Sequence, residues 1–312
     1  MCRTLALMSL IFACTVVSSG MVFPVVAPAF AITVDGTQDA VGYELAPSSL
    51  QAIQTNFGNA SSGSVDFTNG SELDVAFGTI EGTTLYLFLG GNLESNLNDL
   101  EIFFDCIGGG QNRLLTTNPF YQELNRMGDD GSGNGLRFDT GFEPDYWIGL
   151  EGGDGGNGSY TLFARYAALP TGGGTVGYYL GQTGAASNGT LSGGFNPNNI
   201  LAAINNRNVV GVGTGCSSSN GFGVPTGVEL GIPMAALGNT LGCVQVCVFV
   251  NGRFSDFVSN QVLGPLSGFV CNLGEPRTVN FASQPGEQFF SVCGAPTSAR
   301  PSTWGRIKVS YH

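Results

Sequence analysis

The segment with the clearest chemical pattern is an acidic, glycine-rich stretch at residues 130–135 (DGSGNG). Side-chain oxygens at alternating positions are typical of calcium-binding loops, although the twelfth position, usually a glutamate, is Gly141 here. The candidate ligands, two of which lie outside the strict pattern, are Asp129, Asp130, Ser132, Asn134 and Asp139. The same pattern is typical of a turn whose Asp and Asn side chains bond their own backbone. Calcium is therefore a candidate ligand, and no cofactor is required.

Two residue types that carry much of protein catalysis are almost missing. The only lysine is Lys308 and the only histidine is His312. Because histidine is the usual general base and the commonest metal ligand, the body of the chain offers no Ser-His or Cys-His pair and no histidine zinc site. Carboxylates remain on or beside predicted strands, at Asp99, Glu101, Asp105, Glu143, Asp145, Glu151 and Glu229. No spacing among them indicates a hydrolytic pair, so we expect no catalytic residues and no enzyme activity.

Cysteines provide the next pattern. Six follow residue 31: Cys106, Cys216, Cys243, Cys247, Cys271 and Cys293. An even number in an exported chain predicts three disulfides, with the pairing left open. Cys243 and Cys247 lie in a β-branched run (CVQVCVFV), and four strand residues span about 13 Å, which is beyond disulfide reach. We therefore expect cross-strand disulfides, with no bond between these two cysteines, rather than a metal site.

The N terminus has the features of a signal peptide. Arg3 precedes an apolar run at residues 5–26, and residues 29–31 (AFA) form a small-x-small cleavage pattern. We predict that residues 1–31 are removed; the alternative is a retained anchor, because the run is about long enough to span a bilayer. The mature chain is expected to have no membrane span and to be secreted, extracellular or at the cell surface.

Charge restricts the partners. Without Arg3 the formal net charge is −13, against −12 for the full chain. A diffuse acidic surface disfavours nucleic acid and anionic membranes, both of which attract clustered Lys and Arg. It is compatible with calcium, with a neutral polysaccharide or surface glycan, and with self-assembly.

Composition indicates the elements that position these residues. Glycine accounts for 49 of 312 residues, and charged residues are only 11% against 42% hydrophobic, which is typical of many short strands joined by tight turns. The first predicted strands lie near 72–80, 84–91, 99–106, 144–151, 159–168 and 175–181. Further strands are expected in GVELGIP, CVQVCVFV, DFVSNQVL and QFFSVC. Residues 196–208 (NPNNILAAINNRN) are the best helix candidate, because Asn precedes Pro at their start.

Three stretches occur in the order found in family 9 carbohydrate-binding modules and their β-sandwich relatives. They are residues 35–39 (DGTQD), 100–105 (LEIFFD) and 227–233 (GVELGIP), the last followed by 234–237 (MAAL). That family opens on a DG-x-x-D turn, continues with an apolar-Glu-apolar strand that ends in Asp, and has a late E-x-x-I-P strand that leads into a short helix. The chain resembles the family over roughly 200 residues.

The resemblance implies a sugar ligand held by aromatic rings. No motif identifies the ring pair here, so the candidates are four aromatics on predicted strands, Tyr146, Trp147, Tyr178 and Tyr179. Neighbouring strand residues face opposite ways, so one of each adjacent pair is expected to lie in the core.

Together these observations predict an all-β protein: an antiparallel β-sandwich, jelly-roll-like, with long Gly-rich loops and one or two short helices. The expected organisation is a signal peptide at 1–31, a single domain at 32–293, and a Pro/Ser linker with a short tail at 294–312. The leading hypothesis is a secreted, non-catalytic carbohydrate-binding-type module for extracellular recognition or attachment. The alternative is a structural protein of an extracellular coat, matrix or filament.

Overall fold

A computed structural model describes most of the chain between residues 32 and 294. The described ranges are 32–43, 46–55, 57, 70–120, 123–154, 159–174, 176–185, 187–208, 216–217, 221–268 and 270–294. The predicted signal peptide and nearly all of the predicted tail lie outside the described residues. No helix within these ranges has the length and apolar character needed to cross a bilayer.

Sheet 1 is antiparallel and has five strands, numbered along the chain. They are β1 (Ser49–Leu50), β2 (Glu72–Glu81), β3 (Thr84–Asn92), β9 (Leu201–Ile204) and β10 (Gly227–Pro233). Their order across the sheet is β1-β2-β3-β10-β9. The first hairpin, β2–β3, follows directly from the alternating apolar pattern and the Glu81-Gly82 turn.

Sheet 2 holds the remaining strands and is also antiparallel. They are β4 (Asn96–Asp105), β5 (Tyr146–Asp154), β6 (Tyr160–Ala168), β7 (Gly177–Gly184), β8 (Ser192–Gly193), β11 (Val244–Asn251), β12 (Val258–Leu263) and β13 (Phe290–Val292). Their order is β12-β11-β4-β5-β6-β7-β8, and β13 pairs with β11. The chain passes from sheet 1 to sheet 2 twice, from β3 to β4 and from β10 to β11, and it returns to sheet 1 from β8 to β9. β3 and β10 are neighbours in sheet 1, and β4 and β11 are neighbours in sheet 2.

The main core lies between the two sheets. Leu85, Leu87 and Leu89 of β3 are buried in one cluster with Ile102 and Phe104 of β4. Each such side chain, when fully buried, stabilises the fold by about 1.5–3 kcal/mol. The prediction of an all-β sandwich is therefore confirmed. The short helices are 3-10 turns, at Leu124–Met127, Met234–Leu237, Pro276–Thr278 and Phe281–Ser283.

A second apolar cluster, the outer core, covers the opposite face of sheet 2. Phe103, Trp147 and Phe249 project into it from the sheet, and Phe138 and Phe281 meet them from the long Gly-rich connections. Both faces of these strands are thus buried, which explains continuous apolar runs such as VCVFV.

The helix predicted at residues 196–208 is wrong. The Asn196 side chain accepts a hydrogen bond from the Ile200 amide (2.9 Å) and donates one to its carbonyl oxygen (2.8 Å), so it closes a turn. Asn199 takes a left-handed conformation within that turn. The following residues form β9, because pairing with β10 buries Ala202 and Ile204 in the main core. The apolar run is so short that it fits the periodicity of a helix as well as that of a strand. Pairing with the neighbouring strand β10 makes it a strand.

The prediction of three disulfides needs correction, because the described structure has two. They join Cys216 to Cys271 and Cys243 to Cys293. Cys106 and Cys247 are free thiols. They lie on opposite faces of sheet 2, since Cys106 packs against the main core and Cys247 belongs to the outer core. As predicted, Cys243 and Cys247 do not pair with each other. Two disulfides are typical of a protein that folds in an oxidising compartment.

Thiol counting tests this assignment. We expect the denatured, unreduced mature chain to show two titratable thiols out of six cysteines. Replacing Cys243 and Cys293 together with Ala should lower the free energy of unfolding by about 2–5 kcal/mol, because the unfolded chain regains the entropy of an open loop. Cys106→Ala is the control and should lower the denaturation midpoint much less, because it removes only a half-buried thiol and its contact with the Leu237 carbonyl oxygen. Zero or four free thiols would contradict the pairing.

Candidate functional site

Trp147 is one of the four predicted ligand-binding aromatics, and it lies in the outer core. Its side chain is only 1% exposed, and its indole Nε1 donates a 2.6 Å hydrogen bond to Glu101 Oε2. Phe120 packs against the ring from the overlying loop. The alternation of strand residues then places the neighbouring Tyr146 on the main-core face of β5. Trp147 is therefore not part of a ligand-accessible surface.

Tyr146 and Tyr178 belong to an aromatic row that crosses three strands of sheet 2. Tyr166 on β6 lies between them, with ring centroids 6.0 Å from Tyr146 and 6.1 Å from Tyr178. Phe195, just after β8, meets Tyr178 edge-on at 5.1 Å. Tyr166 and Tyr178 are direct cross-strand partners, so the row is set by the register of sheet 2. We call these four rings, Tyr146, Tyr166, Tyr178 and Phe195, the aromatic row.

Exposure is lowest at Tyr166 and increases from there through Tyr178 to Phe195. Tyr166 is buried, and its hydroxyl donates to the Ala236 carbonyl oxygen at 2.8 Å. Tyr146 and Tyr178 are half-buried, whereas Phe195 is 61% exposed. Burial raises the pKa of the Tyr146 and Tyr166 hydroxyls, so both remain neutral. Apolar ring surface is thus presented mainly by Tyr178 and Phe195.

Tyr179, the last of the four predicted aromatics, lies on the other face of β7. Its hydroxyl contacts the Gln182 side chain at 3.2 Å, and it lies outside the aromatic row. Sequence reasoning missed Tyr166 and Phe195. The sequence does show tyrosines on three consecutive predicted strands. It does not show which of them lie side by side, because that depends on how the strands pair.

A cleft of about 780 Å³ lies next to the start of the 3-10 helix at Met234–Leu237. It is lined by the β2–β3 turn, by residues 239–242 and by the Cys243–Cys293 disulfide. The 3-10 helix at Met234–Leu237 contributes Met234 to the cleft and the Ala236 carbonyl to the row. The same 3-10 helix therefore contacts both the cleft and the aromatic row.

Among the predicted carboxylates, Asp99 and Glu101 form a pair buried beneath the outer-core loops. The Ser255 hydroxyl lies 3.1 Å from Asp99 Oδ2 and 3.0 Å from Glu101 Oε1. Because one hydroxyl carries one proton, the second contact requires a protonated carboxyl. Glu101 is also held by Trp147 and by the Asn251 amide. Ser255 has a left-handed backbone, which places the hydroxyl between the acids.

Burial controls the protonation of this pair. Desolvation raises the pKa of Glu101 to about 7, against the lowering effect of its hydrogen bonds to Trp147, Ser255 and Asn251. Desolvation and the nearby Glu101 raise the pKa of Asp99 well above its ordinary value. Arg165 lies alongside and pairs with Glu151 at 2.9 Å and with Glu123 at 3.3 Å. The pair is closed off from solvent, so its role is to fasten the residue 252–257 loop to the sheet.

Three further predicted carboxylates accept hydrogen bonds from backbone amides. Asp105 Oδ2 accepts from the Glu143 amide at 2.7 Å, and Asp145 Oδ2 accepts from the amides of Cys106 and Ile107 at 2.9 Å each. Glu229 is buried and accepts from the amides of Asp35 and Gly36 and from the Tyr43 hydroxyl. The DGTQD turn and the GVELGIP strand are therefore in direct contact.

The Glu101 pKa leads to a pH prediction. Its folded pKa, about 7, lies above the ordinary 4.5, so its contribution to stability is complete below pH 4.5 and is lost as the pH rises through 7. We expect the melting temperature of the mature chain to fall between about pH 5 and 8, with roughly 1.4 kcal/mol lost for each unit by which a folded pKa is raised. Glu101→Gln should make this fall shallower, and Glu81→Gln, on an exposed residue, should not. A wild-type profile that rises with pH contradicts the prediction.

The predicted calcium loop is a turn stabilised by its own backbone. Asp129 Oδ1 accepts from the amides of Gly131 and Gly133, and the Asn134 Oδ1 accepts from Asp130. The Ser132 amide donates to Asp130 Oδ1. Two arginines approach the carboxylates: Arg113 lies 3.1 Å from Asp129 and Arg277 lies 3.8 Å from Asp130. Asp139 lies apart and accepts from Thr140 and Gln288.

Calcium binding at this loop stays a prediction, and an ion there must displace Arg113 from Asp129. Within the described ranges no group of three or more His, Cys, Asp or Glu residues is arranged to hold a metal. A ligand that binds only the folded state raises the melting temperature, by about 2.7 kcal/mol of stability at a hundredfold excess over Kd. If the loop binds, Arg113→Gln should strengthen the response and the double variant Asp129→Asn, Asp130→Asn should weaken it. Calcium responses identical in all three proteins would show the loop to be a turn only.

Comparison with family models, with curated proteins and with solved structures finds no match to this chain.

Proposed function

We propose that the protein is a secreted, non-catalytic recognition module that binds a neutral glycan through the aromatic row. The observation that carries the proposal is the row of Tyr146, Tyr166 and Tyr178 across β5, β6 and β7, continued by Phe195, with exposure increasing from Tyr166 to Phe195. An exposed ring face suits the apolar C–H face of a pyranose, and the half-buried phenols suit its hydroxyls. The resemblance to family 9 carbohydrate-binding modules supports the same ligand class.

Charge supports a neutral ligand. A net charge of −13 for the mature chain repels uronic acids and sulfated glycans over a Debye length of about 8 Å at physiological salt. The aromatic row itself contributes neutral groups only. A secreted setting is consistent with the two disulfides, which fasten both ends of the residue 216–293 region.

Self-assembly into an extracellular coat, matrix or filament is the second candidate function. Leu241 is fully exposed beside the cleft, and Phe222 is 64% exposed elsewhere. Such side chains lose contact with water when two copies associate. Sedimentation and negative-stain imaging of the mature chain separate the candidates, because a recognition module remains monomeric at high concentration.

Glycan binding is tested with ring replacements. We expect the mature chain to bind at least one neutral polysaccharide in pull-down or affinity electrophoresis. Phe195→Ala should weaken that binding by about 3- to 10-fold, since one aromatic contact contributes about 0.5–1.5 kcal/mol beyond its buried area. Adding Tyr178→Ala should weaken it further.

Phe222→Ala is the matched control, because its ring is as exposed as that of Phe195 but lies outside the aromatic row. It should bind like the wild type. Failure of the wild type to bind any glycan on a broad array, or equal loss in Phe195→Ala and Phe222→Ala, would remove the proposal.

A further inference from the structure

Two facing polar residues are enclosed at the start of the first hairpin. Glu72 begins β2, and its cross-strand partner is Asn92 at the end of β3. Glu72 is fully buried and Asn92 is 5% exposed. Their neighbours Leu73 and Leu93 face the main core, so Glu72 and Asn92 face the other side of sheet 1. Directly opposed residues in an antiparallel pair have their Cβ atoms about 4.5–5.5 Å apart.

The oxygens of this pair lack hydrogen-bond partners. Six buried side-chain atoms in the described part of the chain have none, and three of them are both Glu72 carboxylate oxygens and Asn92 Oδ1. The Asn92 amide nitrogen donates to the Gly70 carbonyl oxygen, which fixes the amide and leaves Oδ1 as its open end. Buried polar atoms are nearly always paired, so three such atoms on one facing pair require an explanation.

Electrostatics make the arrangement costly for the protein alone. Burial and the nearby Asp74 raise the pKa of Glu72 to about 9. Burial likewise raises the pKa of Asp74 to about 8, against a lowering hydrogen bond from Asn208. Among the described ion pairs, neither acid contacts an arginine. Protonation of Glu72 would remove its charge and supply one O–H for Asn92 Oδ1, but it would still leave the second Glu72 oxygen without a donor.

We propose that Glu72 and Asn92, with Asp74 beside them, form a binding site for a hard divalent cation, with Ca²⁺ the best fit. One cation satisfies the Glu72 carboxylate and Asn92 Oδ1 together and offsets two negative charges. All the available ligands are oxygens, which favours Ca²⁺ or Mg²⁺ over softer metals. Ca²⁺ accepts irregular coordination completed by carbonyls and waters, whereas Mg²⁺ demands near-ideal octahedral geometry.

This site differs from the loop at residues 129–134. The loop carboxylates already accept backbone amide bonds and lie beside arginines, whereas the Glu72 oxygens accept none. The loop is also exposed, while Glu72 is enclosed. Calcium at Glu72 would tie the beginning of β2 to the end of β3.

Calorimetric titration of the chelator-treated mature chain with Ca²⁺ tests the proposal. We expect binding of at least one ion, a higher melting temperature, and metal retained in native mass spectrometry. Glu72→Gln should weaken the affinity at least about tenfold, because loss of even an outer-shell partner costs about 10- to 100-fold. In chelator, Glu72→Gln should melt no lower than the wild type, since it removes a buried unpaired charge.

Matched controls locate the ion. Glu81→Gln, at the exposed end of the same strand, should bind like the wild type. The double variant Asp129→Asn, Asp130→Asn should retain the binding event that Glu72→Gln loses. If Glu72→Gln does not fold, Asp74→Asn replaces it and should also weaken binding.

Two results overturn the proposal. One is a wild type that binds no Ca²⁺ by calorimetry or mass spectrometry, with an unchanged melting curve at millimolar Ca²⁺. The other is a folded Glu72→Gln or Asp74→Asn variant with wild-type affinity. Because these measurements contain no glycan, their failure is distinguishable from failure of glycan binding.

Discussion

Burial of both faces of sheet 2 is the constraint on which the rest of the structure depends. The outer face is covered by long connections rather than by another sheet, so loop backbone is placed inside, where each amide and carbonyl needs a partner. Amide side chains supply such partners: the half-buried Asn112 donates to the Phe138, Asp139 and Phe142 carbonyl oxygens. At Gly110 any Cβ would lie 2.0 Å from the Glu143 carbonyl oxygen. The richness in Asn, Gln and Gly follows from this packing.

Sequence patterns predicted those parts of the fold that depend on local alternation. Strands β2 and β3 were predictable because their apolar residues alternate over a full hairpin, and β3 is buried on both faces as its sequence indicates. The outer core was not predictable, because it forms between residues more than 100 positions apart, such as Phe103 and Phe281. Tertiary contacts also explain the two errors. Residues 201–204 form a strand because they pair with β10, and Cys106 and Cys247 cannot form a third disulfide because they lie on opposite faces of sheet 2.

The candidate sites divide in a similar way. Alternation requires that Tyr146 and Trp147 face opposite sides of β5, but the sequence does not say which side is covered more completely. Loops enclose the Trp147 side, whereas the Tyr146 ring is only half-buried on the main-core face. The aromatic row also needs the β6–β7 register, which aligns Tyr166 with Tyr178. Glu72 gave no signal at all, because an acid at the start of a strand usually faces solvent.

The buried acids share one feature: the chain has few basic residues to pair with them. The full chain has 23 acidic residues against 11 lysines and arginines, so buried carboxylates such as Glu101 and Glu229 are held by amides and hydroxyls instead of arginines. Hydrogen bonds of this kind leave the negative charge in place, so it must be offset by protonation or by a bound cation. Extracellular calcium modules bind with Kd values of about 10⁻⁴–10⁻³ M. A bound cation can therefore supply positive charge that a chain of this composition lacks in its own sequence.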